Sequence, residues 1–241
     1  MVKEFLIPEV MRESLTRRQG LLLVNGNRFS GIEKFFLSAI KQFESEKRSG
    51  TVFLRESVKS PFKYWNYKDV EELTNSGMSI IKDSEVLIFE NMSKAHEVEM
   101  AIECAEDGRL VIMHFCNQSL VSTIHKVLSL FSDTRAQHTL WRLLDLLTLS
   151  YSQYEIEGEN NETVFAGEMI PLSPELKREI YLKGIDSFEE RLRSIDDENG
   201  IVTFNQSLLQ LLIRRKISLQ RAFEFSKDPQ DLDSLLKKVG I

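Results

Sequence analysis

Two glycines five residues apart, Gly26 and Gly31, frame the stretch GNRFSGIE, which is the clearest candidate for a ligand-binding loop in this sequence. An apolar run at residues 21–24 precedes it and an amphipathic segment follows, so the loop would join a buried strand to a helix. Phosphate-binding loops have this context and read GxxxxGK[ST]. Their glycines let backbone N–H groups close around phosphate, while the lysine and the hydroxyl serve the terminal phosphates and Mg²⁺. Two glycines alone would more often form a plain turn.

The charged and hydroxyl groups of such a loop are replaced here. Ile32 stands at the lysine position and Glu33 at the hydroxyl position. Lys34 comes one place late, and one residue turns a helical side chain by about 100°. Glu33 is the more damaging change, because it brings a negative charge to the place where phosphate would bind. The rest of this degenerate loop consists of Gly26, Asn27, Arg28, Phe29, Ser30 and Gly31.

The elements that would position this loop alternate along the chain. Apolar runs at residues 21–24, 51–54, 86–89 and 110–115 predict buried strands, and amphipathic segments between them predict helices. We therefore predict an α/β fold with a mostly parallel sheet, whose ligands lie beyond the carboxyl ends of the strands, at Gly26, Glu56, Glu90 and Cys116. YSQYEIEG and TVFAGEMI flank a polar turn and predict an antiparallel hairpin. The chain from Ser173 onward is predicted to be helical.

Composition excludes several classes. The 241 residues carry a net charge of -6 without a basic stripe, which argues against nucleic-acid binding. No apolar run approaches the ~18 residues that span a bilayer. The two cysteines have no CxxC spacing and the four histidines fit no zinc pattern, so we predict reduced thiols, no metal and a cytoplasmic protein. A peripheral position at the inner face of the cytoplasmic membrane is a further option.

Longer segments carry a family resemblance. From about Ile7, the stretches IPEVMRESLTRRQGLLLVNG, CAEDGRLVIMHFCNQSLVSTIHKVLSLF and LLIRRKISLQRAFEFSKDPQDLDSLL agree in order and spacing with type IV pilus retraction ATPases (PilT-like) and related type II and type IV secretion ATPases. The chain resembles the motor domain of that family. The resemblance implies a RecA-like P-loop NTPase fold, with residues 1–170 as the ATPase-type domain and 171–241 as a helical subdomain packed on it.

The same resemblance implies that the family's other functional boxes are altered. Arg55 and Glu56 stand where the acidic box has adjacent Glu and Asp. Glu90 and Asn91 stand at the Gly-Glu that ends the Walker B strand, and strand alternation predicts that Glu90 points to the other face. Cys116 replaces the histidine of the histidine box. There is also no arginine between Arg55 and Arg109, the region from which the family supplies arginines to phosphate.

From these losses we predict a non-catalytic pseudo-ATPase, without ATP or Mg²⁺ as cofactor, acting as a structural or regulatory subunit in pilus dynamics (twitching motility) or type II secretion. Its partners would be pilus or secretion machinery proteins, including an active paralogous ATPase. The family forms hexameric rings, so homo-oligomerisation is an option that the sequence does not decide.

Three alternatives stay open. The first is an unorthodox ATPase in which Lys34 or Arg28 supplies the charge and Glu90 orients water. The second is a nucleotide-free interaction module that shares only the βαβ frame. The third is nucleotide binding without hydrolysis, through the backbone amides of residues 26–31.

Two further groups of residues are candidates for functional roles. Cys116 with His114 on the same strand suggests a thiol nucleophile, which we disfavour because no base is identified. Tyr64, Trp65 and Tyr67 fall in a predicted irregular stretch, where they are a candidate partner surface.

Overall fold

A seven-stranded sheet organises the chain in the computed structural model, which describes residues 9–27, 29–54, 62–72, 79, 81–192 and 200–240. The strands are β1 (Gly20–Asn25), β2 (Gly50–Leu54), β3 (Trp65–Asp69), β4 (Val86–Phe89), β5 (Leu110–Phe115), β6 (Leu147–Glu157) and β7 (Thr163–Pro171). They lie in the order β3-β2-β4-β5-β1-β6-β7. All neighbours are parallel except β6 and β7, which form the antiparallel hairpin that the sequence predicts.

Helices join these strands. They are α1 (Glu9–Thr16), α2 (Ile32–Ser45), α3 (Ala95–Glu106), α4 (Leu120–Leu128) and α5 (Asp133–Leu146), followed after the hairpin by α6 (Pro174–Lys183), α7 (Ile185–Leu192), α8 (Phe204–Ile213), α9 (Leu219–Phe225) and α10 (Pro229–Lys238). The predicted helix starts at Ser173-Pro174 and Ser218 are confirmed, since each serine side chain accepts a hydrogen bond from the first turn.

Strand alternation builds one core on each face of the sheet. On one face, alternate residues such as Leu22, Val24 and Ile88 pack against the apolar side of α2. On the other face, Leu21, Leu23 and their counterparts pack against α3 to α6. The predicted α/β fold with a mostly parallel sheet is thereby confirmed.

A third apolar cluster joins the C-terminal helices to the hairpin. It includes Ile156 and Val164 from the hairpin, Leu208 from α8, and Leu232 and Leu236 from α10. Val202 also bridges Met169 on β7 in the antiparallel sense. The division at residue 170 stays a prediction.

The sequence interpretation of the YWNY segment is wrong. Trp65, Asn66 and Tyr67 are not irregular but begin β3, which pairs in parallel with β2 at the edge of the sheet. Trp65 is only 2% exposed and stacks on Phe43 with 5.6 Å between the ring centres. Since Gly50 lies directly opposite and a Cβ there would meet the indole at 2.6 Å, Trp65 fills a core position and offers no partner surface.

Candidate functional site

The degenerate loop lies where the fold predicts it, at the carboxyl edge of the sheet between β1 and α2. Gly26 joins the loop to β5, because its N–H donates to the carbonyl of Phe115 at 3.1 Å and its carbonyl accepts from Nε2 of His114 at 2.9 Å. A Cβ on Gly26 would stand 2.4 Å from Oγ of Ser30, so a larger residue would displace the serine hydroxyl from the carbonyl of Asn27. Glu90 and Cys116 lie beyond the same edge, whereas Arg28, Arg55 and Glu56 fall outside the described residues.

Hydrogen bonds inside the loop occupy part of its backbone. The side chain of Asn27 accepts from the N–H of Phe29 at 2.8 Å. The carbonyl of Asn27 accepts from both the N–H and the hydroxyl of Ser30, at 3.0 and 2.6 Å. A phosphate-binding loop directs successive N–H groups at its ligand. Here the amides of Phe29 and Ser30 already have partners within the turn.

The first turn of α2 presents the wrong chemistry for phosphate. Gly31 caps the helix in the left-handed conformation, with φ of 67°. Ile32 follows and is buried, packing into the core beside α2's phenylalanines instead of reaching outward as a lysine would. Glu33 is exposed in the first turn of the helix. The helix dipole favours an anion here, and the Glu33 carboxylate already supplies one.

The hairpin supplies contacts that the sequence interpretation missed. Nε2 of Gln153 donates to the carbonyl of Ser30 at 2.8 Å. Glu155 forms an ion pair of 3.0 Å with Lys34, whose Nζ also lies 5.1 Å from the centre of the Phe165 ring. Period-two alternation in YSQYEIE puts residues 151, 153 and 155 on one face of β6. This alternation is the sequence signal from which the contacts of Gln153 and Glu155 with the loop could have been predicted.

Glu90 lies on the same face of the sheet as α2 and the loop that precedes it. It continues the alternation of Val86 and Ile88, which pack toward α2, and its carboxyl interacts electrostatically with Glu33. Burial, followed by the Glu33 charge, raises the pKa of Glu90 to about 7. The prediction that alternation carries Glu90 away from the site is therefore wrong, because the face it takes is the one on which α2 packs.

His114 connects the ends of three strands. Its Nδ1 accepts from the N–H of Asn91 at 3.1 Å, so Nε2 carries the hydrogen that it donates to Gly26. The ring packs edge-on against Phe36. Burial lowers the pKa of His114, in agreement with a neutral ring. Asn91 adopts φ of 52°, a left-handed conformation that asparagine tolerates.

His114, two residues before Cys116, does not serve it as a base. The Sγ of Cys116 lies 3.1 Å from Oδ1 of Asn91, and desolvation raises the pKa of the thiol. Both ring nitrogens of His114 are engaged by Asn91 and Gly26. A thiol with a raised pKa and no partner base is a poor nucleophile, which supports our disfavouring of a catalytic cysteine.

A buried polar network that the sequence did not indicate fixes the end of β1. Asn25 is fully buried and donates to the hydroxyls of Ser150 and Ser152 on β6, at 3.4 and 3.2 Å. Its Oδ1 accepts from Thr123 on α4 at 2.6 Å. Since buried polar groups must be paired, this network fixes where the loop begins.

The side chains that the structure describes at this site, which do not include Arg28, Arg55 and Glu56, do not fit a nucleoside triphosphate with Mg²⁺. Such a ligand needs a cation at its terminal phosphates and an oxygen ligand for the metal. Ile32 lies in the core, Lys34 is paired with Glu155, and two carboxyls of the described residues, those of Glu33 and Glu90, interact with each other beside the loop. Within the described ranges, no group of three or more histidine, cysteine, aspartate or glutamate side chains is placed to hold a metal ion.

The parallel sheet, its crossover helices and the loop between β1 and α2 form an α/β fold similar to that of the RecA-like P-loop ATPases. The chain superposes on the pilus retraction motor PilT, solved with bound ADP, with a TM-score of 0.82 and 23% identity, over 97% of this chain and 68% of that one. It is also similar to the ATPase DotB of Legionella pneumophila (TM-score 0.76, 12% identity, 90% of this chain) and of Yersinia pseudotuberculosis (TM-score 0.74, 16% identity, 92% of this chain).

These likenesses establish the fold. The chain spans 62% and 61% of the two DotB chains. At the level of sequence, no protein-family model and no curated protein matches it. In the part of the chain that the structure describes, none of the helices is both long and apolar enough to cross a membrane.

Proposed function

We propose that this chain is a catalytically inactive relative of the pilus and secretion motor ATPases, acting as a structural or regulatory subunit of a pilus or secretion machine. The observation that carries the proposal is the replacement of the phosphate-binding groups inside a retained motor fold. Ile32 is buried in the core, and two carboxyls, of Glu33 and Glu90, interact beside the loop. Its partners would be components of such a machine, among them an active paralogous ATPase.

Charge explains why turnover is not expected. A triphosphate brings up to four negative charges, and at neutral pH it would meet the carboxylate of Glu33 and a partly ionised Glu90. Like charges a few ångströms apart repel by several kcal/mol at protein-like dielectric constants. Lys34, the nearest described cation in the sequence, is paired with Glu155. A motor fold with these charges at its loop is thus better suited to assembly with partner proteins than to ATP hydrolysis.

Calorimetric titration with ATP and MgCl₂, beside a phosphate-release assay, tests the proposal. We expect no hydrolysis above the protein-free rate and no heat of binding. PilT, assayed in the same buffer, is the positive control. Hydrolysis that disappears in Glu90→Gln would contradict the proposal. A mass measurement in solution, with and without nucleotide, would show whether assembly depends on ATP.

Restoring the family residues sharpens this test. We expect Ile32→Lys combined with Glu33→Ser not to restore hydrolysis, because Asn91 and Cys116 still occupy the Walker B and histidine positions that the resemblance assigns. Phosphate release should stay at the rate of the unmodified chain. Turnover in the double variant would show that these two positions alone account for the inactivity.

One observation favours a second function, an unorthodox ATPase. The Glu90 carboxyl has a pKa of about 7 and lies near the loop, which suits a group that orients or deprotonates water. In that case ATP would bind with a dependence on Mg²⁺, and Glu90→Gln would remove hydrolysis while binding persists. An unrelated module sharing only the βαβ frame is not supported, given the match to PilT over 97% of the chain.

A further inference from the structure

Three side chains of the hairpin hold the degenerate loop from one side. Gln153 donates to the carbonyl of Ser30, Glu155 binds Lys34, and Phe165 lies beneath the Lys34 ammonium group. We call Gln153, Glu155 and Phe165 the latch. They come from two adjacent strands, so the β6–β7 ladder fixes the backbone positions from which these side chains project.

The latch contacts the loop backbone as closely as glycine permits. A Cβ on Gly31 would stand 2.4 Å from Oε2 of Glu155 and 2.6 Å from Cε1 of Phe165. Such distances mean that the carboxylate and the ring already fill the space beside Gly31. Glycine at this position therefore serves the packing of the loop on the hairpin as well as the left-handed turn.

The latch also directs the lysine. Lys34 Nζ is 3.0 Å from Glu155 and lies over the Phe165 ring, so its charge is drawn toward the hairpin. The ion pair and the cation–π contact share the Lys34 ammonium group. The side chains of Lys34 and Glu155 are 32% and 31% exposed. These contacts hold the part of the loop next to α2. The hydrogen bonds that Asn27 accepts from Phe29 and Ser30 hold the preceding described residues.

We propose that the latch holds residues 29–34 of the loop in a single conformation without nucleotide, so that side chains of the hairpin perform the ordering that bound phosphate would otherwise perform. This inference rests on the proposed function, since it describes what became of a loop that no longer binds ATP. It makes residues 29–34 a fixed part of the protein surface, on which Phe29 is 71% exposed.

Hydrogen exchange of the peptide covering residues 26–36 tests the latch. In the unmodified chain we expect slow exchange that does not change when millimolar ATP and MgCl₂ are added. Glu155→Ala should raise the exchange rate of this peptide severalfold, because local opening becomes easier when its anchors are lost. Lys34→Met should act similarly, and combining the two should add little, since both remove one pair.

Glu157→Ala is the matched control. Glu157 is on the same strand and pairs with Arg221 at 3.2 Å, away from the loop. It should leave the exchange of residues 26–36 unchanged, and circular dichroism should confirm that every variant is folded. Equal exchange in Glu155→Ala and Glu157→Ala would overturn the latch, as would protection of the loop by ATP in the unmodified chain.

The two proposals fail in different measurements. Hydrolysis by the unmodified chain would end the proposed function without changing the exchange difference between Glu155→Ala and Glu157→Ala. Absence of that difference would end the latch, whatever the phosphate-release assay gives.

Discussion

At the scale of single residues, Trp65 fills a core position between Gly50 and Phe43. We expect Trp65→Ala to destabilise the fold by about 3–5 kcal/mol, the usual cost of emptying a buried aromatic site, because the indole is 2% exposed and stacks on Phe43. Urea unfolding followed by circular dichroism measures this. The neighbouring Tyr64→Ala, at a half-buried position, should cost less.

The indole nitrogen gives a second check on the same site. Trp65 Nε1 has no hydrogen-bond partner among the described residues, so Trp65→Phe loses volume and contacts but no hydrogen bond. It should cost clearly less than Trp65→Ala. Equal costs would show that the indole makes a polar contact to some other part of the chain.

Glu90 predicts an unusual dependence of stability on pH. Its pKa is raised from 4.5 to about 7 by burial and by Glu33. The folded chain therefore binds a proton more tightly than the unfolded chain, so this contribution to stability is complete below about pH 4.5 and is lost as the pH rises through 7. Glu90→Gln should thus exceed the unmodified chain in stability at pH 8, by about 3 kcal/mol at most, and the difference should shrink by pH 5.

Urea unfolding at pH 5 and pH 8 checks the sign. Glu13→Gln, at an exposed position of α1, is the control and should show no such difference. His114 contributes in the opposite sense, because its lowered pKa lets the unfolded chain take up the proton first as the pH falls below about 6.5. The comparison of Glu90→Gln with the unmodified chain cancels the His114 contribution. A variant that is less stable at pH 8 would contradict the assignment of Glu90 to the carboxyl edge.

At the scale of elements, the junction between the loop and α2 depends on Gly31. Alanine there must adopt φ of 67° and also displace Glu155 or Phe165. The left-handed conformation costs roughly 1–2 kcal/mol, and overpacking adds about 1–3 kcal/mol. Gly108→Ala is the control, because Gly108 also has positive φ, 90°, but its nearest neighbour would be Gln19 at 3.8 Å.

We expect the free energy of unfolding to fall further in Gly31→Ala than in Gly108→Ala, by at least about 1 kcal/mol. Chemical denaturation of both variants under one condition gives the difference. If the two substitutions cost the same, the loop is free to move away from the hairpin, and the packing described for Gly31 is incorrect.

At the scale of the whole molecule, the C-terminal helices and the sheet share the hairpin. Leu232 on α10 is fully buried in a cluster that includes Ile156 and Val164 from the hairpin. Leu232→Ala should cost about 2–5 kcal/mol. Neither tryptophan, Trp65 or Trp141, belongs to this cluster, so their fluorescence does not report directly on the packing of Leu232.

If the chain unfolds as one unit, the fluorescence midpoint in urea should fall in Leu232→Ala together with the midpoint from circular dichroism. Leu182→Ala, at a position 73% exposed, should change neither by more than about 0.5 kcal/mol. A fluorescence midpoint that stays fixed while the dichroism midpoint falls would mean that helices α8 to α10 unfold separately from the rest of the chain.

Local patterns determined much of the fold. Continuous apolar runs such as residues 21–24 and 86–89 are long enough only for buried strands, and the serine caps at Ser173 and Ser218 mark helix starts chemically. β3 was not recognised, because WNYKD has one buried residue and polar neighbours, as befits an edge strand. β6 begins at Leu147 directly after α5 ends, so no glycine, proline or polar turn residue separates the apolar helical pattern from the strand.

The sequence by itself determined which groups a nucleotide site would lack, since Ile32 and Glu33 are read at fixed positions beside Gly31. Only the tertiary structure decided what those positions do instead. Glu90 meets Glu33, and Glu155 meets Lys34, across separations of 57 and 121 residues. The physical reason is that charge and hydrogen-bond partners depend on which strands are neighbours and which face each side chain takes, and neither follows from local spacing.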